Sequence, residues 1–202
     1  MKRVVFKRAA LRPPKSKRPR HASRAINDSQ FRIHDSEFII PDSSRVGIGN
    51  DLHRLVPGRQ LILGGVKIPF DRGPLGHSDG DALIHAICDA LLGAAALGDI
   101  GQHFPDTSPA WHNAASLVFL RQVGKLLDDA GYKIVNIDST VELEKPKLAP
   151  HIPRMVKKIA AALHLKPGQV SVKAKTGEGF GAIGRGEAVR ADAVALVQEV
   201  KS

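Results

Sequence analysis

The chain has 202 residues, 43% of them hydrophobic, which is enough for one core and cramped for two full domains. No apolar run approaches the roughly 20 residues that cross a bilayer, and a single cysteine, Cys88, excludes an intramolecular disulfide. The formal charge of +10 points to nucleic acid until its distribution is read: ten of the 30 Lys and Arg precede Ala25, the first acid is Asp28, and the remaining 20 bases equal the 20 acids.

Basicity therefore belongs mainly to the N-terminal segment. Residues 1–44 are read as a disordered extension, with Pro13, Pro14 and Pro19 among the cations and no helical or strand period. Its readings, in order of preference, are a solvated extension or misassigned start, an organelle transit peptide, and an electrostatic arm for RNA or anionic surfaces. With few aromatics to stack on bases, nucleic acid is expected to bind weakly through this tail or not at all.

Folding is expected to begin near Arg45 and to give one domain, 45–202. RVGIGNDLH (45–53) reads as a strand whose glycines thin one side, and Asp51 and His53, two residues apart, share a face. A hairpin follows, with Leu61 to Leu63 and Val66 to Ile68 joined through Gly64 and Gly65.

His77 to Gly101, HSDGDALIHAICDALLGAAALGDIG, organises the rest. The spacing predicts a helix from about Asp81 to Leu97, stopped by Gly98, on which Asp81, His85 and Asp89 recur every four residues as one polar stripe. His77 and Ser78 precede its N-terminus, where amides attract phosphate oxygens, although capping alone would also explain them. Asp81 and Asp89 read as groups that cap or orient rather than as ligands.

After the loop GDIGQHFPDTSP, apolar spacing predicts a helix from Asn113 to Ala130, then a β-branched strand from Ile134 to Leu143. A Pro-punctuated loop (145–150) leads to a helix from His151 to Leu165, a strand from Val170 to Lys175, the turn KTGEGFGAIGRGE, and a last strand from Ala188 to Val200. The order implies an α/β two-layer sandwich, a mixed sheet with helices on one face, whose bare face is buried by assembly.

Asp51, His53 and His85 supply a carboxylate and two imidazoles, a set that suits a catalytic zinc with one open position. DxH alone is a weak motif, and on the residues alone the reading of His85 as a satisfied polar residue within a helix comes ahead of a metal ligand.

GIGNDLH (47–53), LILGGVKIP (61–69), HSDGDALIHAICDALLGAAALGDIG (77–101), FPDTSP (104–109), EKPKLAPHIP (144–153) and KAKTGEGFGAIGRGE (173–187) stand in the order and spacing of a known family. Over about Arg45 to the C-terminus the chain resembles the 2-C-methyl-D-erythritol 2,4-cyclodiphosphate synthases of non-mevalonate isoprenoid synthesis. The resemblance implies a homotrimer with sheets facing the trimer axis and active sites between adjacent subunits. It implies a phosphorus–oxygen lyase that cyclises 4-diphosphocytidyl-2-C-methyl-D-erythritol 2-phosphate and releases CMP, in the bacterial cytoplasm, or in a plastid if the extension is a transit peptide.

Carried over residue by residue, the resemblance places Zn²⁺ on Asp51, His53 and His85 and a second ion, Mg²⁺ or Mn²⁺, on Glu178. His77 and Thr176 would stabilise the transferring group, with Ser78 on phosphate oxygens and Leu52 beside the two strand ligands. Asp99, Ile100, Gly101, Phe104, Pro105, Asp106, Thr107 and Ser108 would contact the methylerythritol part. Leu143, Glu144, Lys145, Pro146, Lys147, Leu148 and Ala149 would frame the cytosine, and Lys175, Thr176, Gly177 and Glu178 would lie near the diphosphate. Arg185, paired with Glu187, and Ala182 would border an axial channel that takes an isoprenoid diphosphate. Three positions depart from the commoner family pattern: Lys175 for a Thr, Ala182 for an aromatic, and Ser108 for an Asp. A zinc phosphoesterase using water as nucleophile is the rival enzyme reading.

Overall fold

The computed structural model describes residues 44–200 other than 77, 106, 109, 110, 112 and 113. The basic extension, His77, Asp106 and the expected helix start at Asn113 lie outside the described residues. Strand β1 (Ser44–Pro57) runs past the expected end at His53. Its alternation turns Gly47, Gly49, Asp51, His53 and Leu55 to one face and Val46, Ile48 and Leu52 to the other. The hairpin β2 (Leu61–Leu63) and β3 (Val66–Ile68) forms as expected, turning through Gly64 and Gly65 at φ 56° and 69°. Strand β4 (Arg72–Pro74) was not foreseen, because three residues with Gly and Pro carry no period; it pairs with the end of β1.

Helix α1 (Ala82–Ala95) starts where expected, with the Asp81 carboxylate accepting the Ile84 N–H at 3.1 Å, but ends before Gly98. Ala96 takes the left-handed conformation at φ 57°, and the Leu97 N–H closes on the Leu92 carbonyl at 2.9 Å, satisfying the last turn. The following loop holds a short helix, α2 (Ile100–His103), capped by Asp99. Then come α3 (Ser116–Asp129), β5 (Tyr132–Glu142), α4 (Ile152–Ala162), β6 (Val170–Lys175), a short α5 (Gly181–Gly184) inside the Gly-rich turn, and β7 (Ala188–Glu199). Helix α4 stops short of the expected Leu165 because His164 turns left-handed at φ 55° and Leu165 closes on Ala160.

The main sheet has the order β4-β1-β7-β5-β6, antiparallel except for the parallel β5–β6 pair. It is the mixed sheet expected. α1 lies on β1 and β7, α4 lies on β6, and α3 packs against α1, α4 and β5. Leu83, Ile84, Ile87 and Leu91 are wholly buried at the centre of the core, each worth about 2 kcal/mol against exposure. The other face of β1 and β7 is bare: Val46, Ile48, Leu52 and Val194 are 67%, 71%, 62% and 44% exposed.

α1 approaches β1 closely because the strand offers no side chain there. A Cβ on Gly47 would stand 2.0 Å from the Ala90 carbonyl oxygen, and one on Gly49 would stand 2.1 Å from that of Ala86. Only glycine allows this contact. It sets the distance between the strand and the polar stripe of the helix.

Candidate metal and phosphate site

The strand pair and the helical imidazole converge. Asp51 Oδ2 lies 2.8 Å from His53 Nε2 and 2.9 Å from His85 Nδ1, and the two imidazole nitrogens are 3.5 Å apart. The three candidate ligand atoms all lie within 4.8 Å of one another. Such a set, two nitrogens and one carboxylate oxygen, suits zinc with a position left open. His53 Nδ1 is 3.0 Å from the Leu75 carbonyl, to which it donates, leaving Nε2 free to ligate. The residues therefore fit the ion.

Electrostatics agree with a cation at this point. Burial would raise the Asp51 pKa, but hydrogen bonds from His53 and His85 outweigh it and hold the carboxyl well below the ordinary carboxylate range. Burial would lower His53, but its bond to Asp51 and that carboxylate's charge raise it above the ordinary imidazole value. The negative charge at Asp51 thus persists at any moderate pH.

The two outer members of the polar stripe behave as capping groups. Asp81 is wholly buried and accepts N–H groups from Gly64 at 2.9 Å, Gly65 at 2.6 Å and Ile84 at 3.1 Å, tying the hairpin turn to the start of α1. Burial raises its pKa to about 6. Asp89 accepts the Ile100 N–H at 2.8 Å, holding the loop of Asp99, and burial raises it too.

A cavity of about 200 Å³ opens beside the ligands, lined by His53, His85, Gly76, Ser78, Ile100, Gly101 and an aromatic wall. In that wall Phe104 stacks on Phe119 at 4.8 Å and meets the edge of Trp111 at 5.3 Å. Ser78, Ile100, Gly101 and Phe104, to which the resemblance assigns substrate contacts, all line this cavity. Pro105, Thr107 and Ser108 form the turn beyond, with the Ser108 N–H on the Pro105 carbonyl at 3.0 Å. The Leu52 side chain points to the bare sheet face, so that only its backbone N–H, 2.8 Å from Asp51 Oδ1, belongs to the site.

The remaining residues form a second group. The Gly177 N–H donates to Glu144 Oε2 at 3.0 Å, the Leu143 N–H to the Lys175 carbonyl at 2.9 Å, and the Thr176 hydroxyl to Glu178. These bonds lock 143–144 to 175–178, while the Leu143 and Leu148 side chains are buried in the core. Among the described residues, none of 143–149 or 175–178 lines the cavity beside the ligands. Glu144 and Lys145 line a separate one with Arg72 and Arg185. Arg185 grips Glu187 through two bonds of 3.0 Å, and Ala182 borders a cleft with Leu52, Arg54 and Glu187.

The sequence reading missed Arg59, Trp111 and Phe119. Arg59 donates to the carbonyls of Pro74 at 3.0 Å, Gly76 at 3.1 Å and Ser78 at 3.0 Å, clamping the loop ahead of α1. An arginine in the hairpin approach carries no local signal of this; only folding sets it under the loop.

A family model described as the YgbB family matches residues 44–198. A protein of Nitrosospira multiformis named 2-C-methyl-D-erythritol 2,4-cyclodiphosphate synthase is 55% identical over 161 residues, covering 80% of this chain and 91% of that one. A solved structure of a 2C-methyl-D-erythritol-2,4-cyclodiphosphate synthase, in a form with CDP bound, superposes with a TM-score of 0.71 at 43% identity, covering 76% of this chain and all of that one. The bifunctional IspDF of Campylobacter jejuni superposes with a TM-score of 0.75 at 38% identity, over 78% of this chain and 43% of its own length.

Proposed function

Because this chain belongs to the YgbB family, we propose that it converts 4-diphosphocytidyl-2-C-methyl-D-erythritol 2-phosphate to 2-C-methyl-D-erythritol 2,4-cyclodiphosphate with release of CMP, a step of non-mevalonate isoprenoid synthesis. The observation that carries this reading is the convergence of Asp51, His53 and His85 within 4.8 Å beside a pocket lined by Ser78.

The reaction joins two anionic parts of one molecule: the 2-phosphate attacks the β-phosphorus and CMP departs. The protein's task is to fold the substrate back on itself and offset repulsion, with little covalent chemistry of its own. When bound, Zn²⁺ on Asp51, His53 and His85 supplies Lewis-acid polarisation of a phosphate oxygen, and Mg²⁺ or Mn²⁺ at Glu178 neutralises diphosphate charge. Ser78 and His77 hold phosphate oxygens. Thr176, with Lys175 and Gly177 beside it, donates to the transferring group as its charge redistributes. Asp99, Ile100 and Gly101, with 104–108, seat the methylerythritol part, and 143–149 frame the cytosine, in keeping with the CDP bound to the solved relative.

The bare apolar face of β1 and β7, and the division of the site residues between two cavities, support a homotrimer. Its sheets face the axis, and each active site joins the metal ligands of one subunit to the 143–149 and 175–178 loops of the next. The Arg185 charge is already answered by Glu187 within the chain, which favours a structural ion pair there over an isoprenoid diphosphate. Among the described residues no helix is long and apolar enough to cross a membrane.

The test is to incubate the metal-loaded protein with the substrate and analyse products. CMP and the cyclic diphosphate in equal amounts are expected; an open phosphate would make it a phosphoesterase, and no CMP at all would overturn the assignment.

A further inference from the structure

A histidine that ligates a metal must keep one particular nitrogen bare, and nothing in the ring itself decides which. For His85 the decision comes from outside the ligand set. Ser116, the first residue of α3, is wholly buried. Its hydroxyl has one proton, and that proton is committed: Oγ–H donates to Asp79 Oδ1, while the Ser116 backbone N–H donates to Asp79 Oδ2 at 3.1 Å. A hydroxyl in that state can only accept from a further partner. His85 Nε2 lies 2.9 Å from it and so carries a proton; the other hydroxyl near this nitrogen, Ser78 Oγ, is farther at 3.4 Å. The opposite nitrogen, Nδ1, faces His53 Nε2 at 3.5 Å and Asp51 Oδ2 at 2.9 Å, the second being the hydrogen bond that a bound ion would replace.

We propose that Asp79 and Ser116 are the positioning pair of this site: the carboxylate orients the hydroxyl, and the hydroxyl fixes His85 as the Nε2–H form, committing Nδ1 to the ion. The inference rests on the metal reading above and names residues that touch neither the ion nor the substrate. It also accounts for Asp79, an acid beside the candidate phosphate loop whose charge is turned inward to the start of α3, a helix with no side-chain cap of its own.

Two measurements test it. Nitrogen-15 spectra of the zinc-loaded wild-type chain should show His85 Nε2 protonated and Nδ1 on the ion; a bare Nε2 overturns the proposal without reference to any variant. In chelator competition, Ser116→Ala should bind zinc roughly 10- to 100-fold more weakly than wild type, as outer partners of metal-bound histidines do, and Ser116→Thr should recover part of the loss. Equal affinity in wild type and Ser116→Ala overturns the positioning role while leaving the metal site standing. A wild-type chain that takes no zinc overturns the metal reading and the proposal with it.

Discussion

Gly49 and Ala86 touch backbone to backbone, a Cβ on the glycine standing 2.1 Å from the alanine carbonyl oxygen, and this contact is why the next residue on that strand face, Asp51, reaches His85 at 2.9 Å. Stability and ligand geometry here depend on the same missing side chain.

Gly49→Ala should therefore cost about 3 kcal/mol of stability or prevent folding, since neither backbone can retreat from the overlap. Thermal unfolding measures it. A variant as stable as wild type would mean that α1 does not ride on β1 this closely.

His85→Ala and Asp51→Asn should each lower CMP release by at least about 100-fold, more than the loss of an outer partner, and each should release zinc. Dialysis against a chelator should do the same to wild type, with recovery on adding zinc back. Full turnover after all bound metal is removed would contradict the roles given to these three residues.

Asp81 gives a pH dependence of stability with an unusual sign. Burial raises its folded pKa to about 6 from 3.8, against the N–H bonds from Gly65, Gly64 and Ile84. Between those values the folded chain holds a proton that the unfolded chain has released, so this group's contribution is full below pH 3.8 and is lost as pH rises through about 6. The change is on the order of 3 kcal/mol. A carbon-13 titration of the Asp81 carboxyl is the check; a midpoint in the ordinary carboxylate range would remove the effect.

Arg59→Ala should loosen the loop ahead of α1, because three guanidinium bonds to its carbonyls disappear together. Hydrogen bonds to charged groups are worth about 1.5–3 kcal/mol each, so amide exchange at Ser78 to Gly80 should speed up at least about tenfold. Unchanged exchange would show that the loop holds itself.

Ile48→Asp places a charge in the middle of the bare sheet face. Sedimentation should find wild type assembled as a trimer and this variant dissociated, with CMP release lost because each active site then lacks its second half. A fully active monomeric variant would refute the division of the site between subunits.

Much of this was readable along the chain. The four-residue recurrence of Asp81, His85 and Asp89, the DxH pair and the hairpin glycines are local signals, since side-chain direction in a helix or strand follows from its period alone. The two-layer architecture followed from the order of those periods. Ala96, His164 and β4 escaped because a left-handed non-glycine and a three-residue edge strand have no sequence signature. Which nitrogen of His85 stays bare, and that Arg59 holds the loop, depended on partners 31 and 15 to 19 residues away in the chain. The sequence by itself determined which side chains share a face, because periodicity is local. Only the tertiary structure decided which faces meet and how closely, because that distance is set by packing between segments, here by two glycines under one helix.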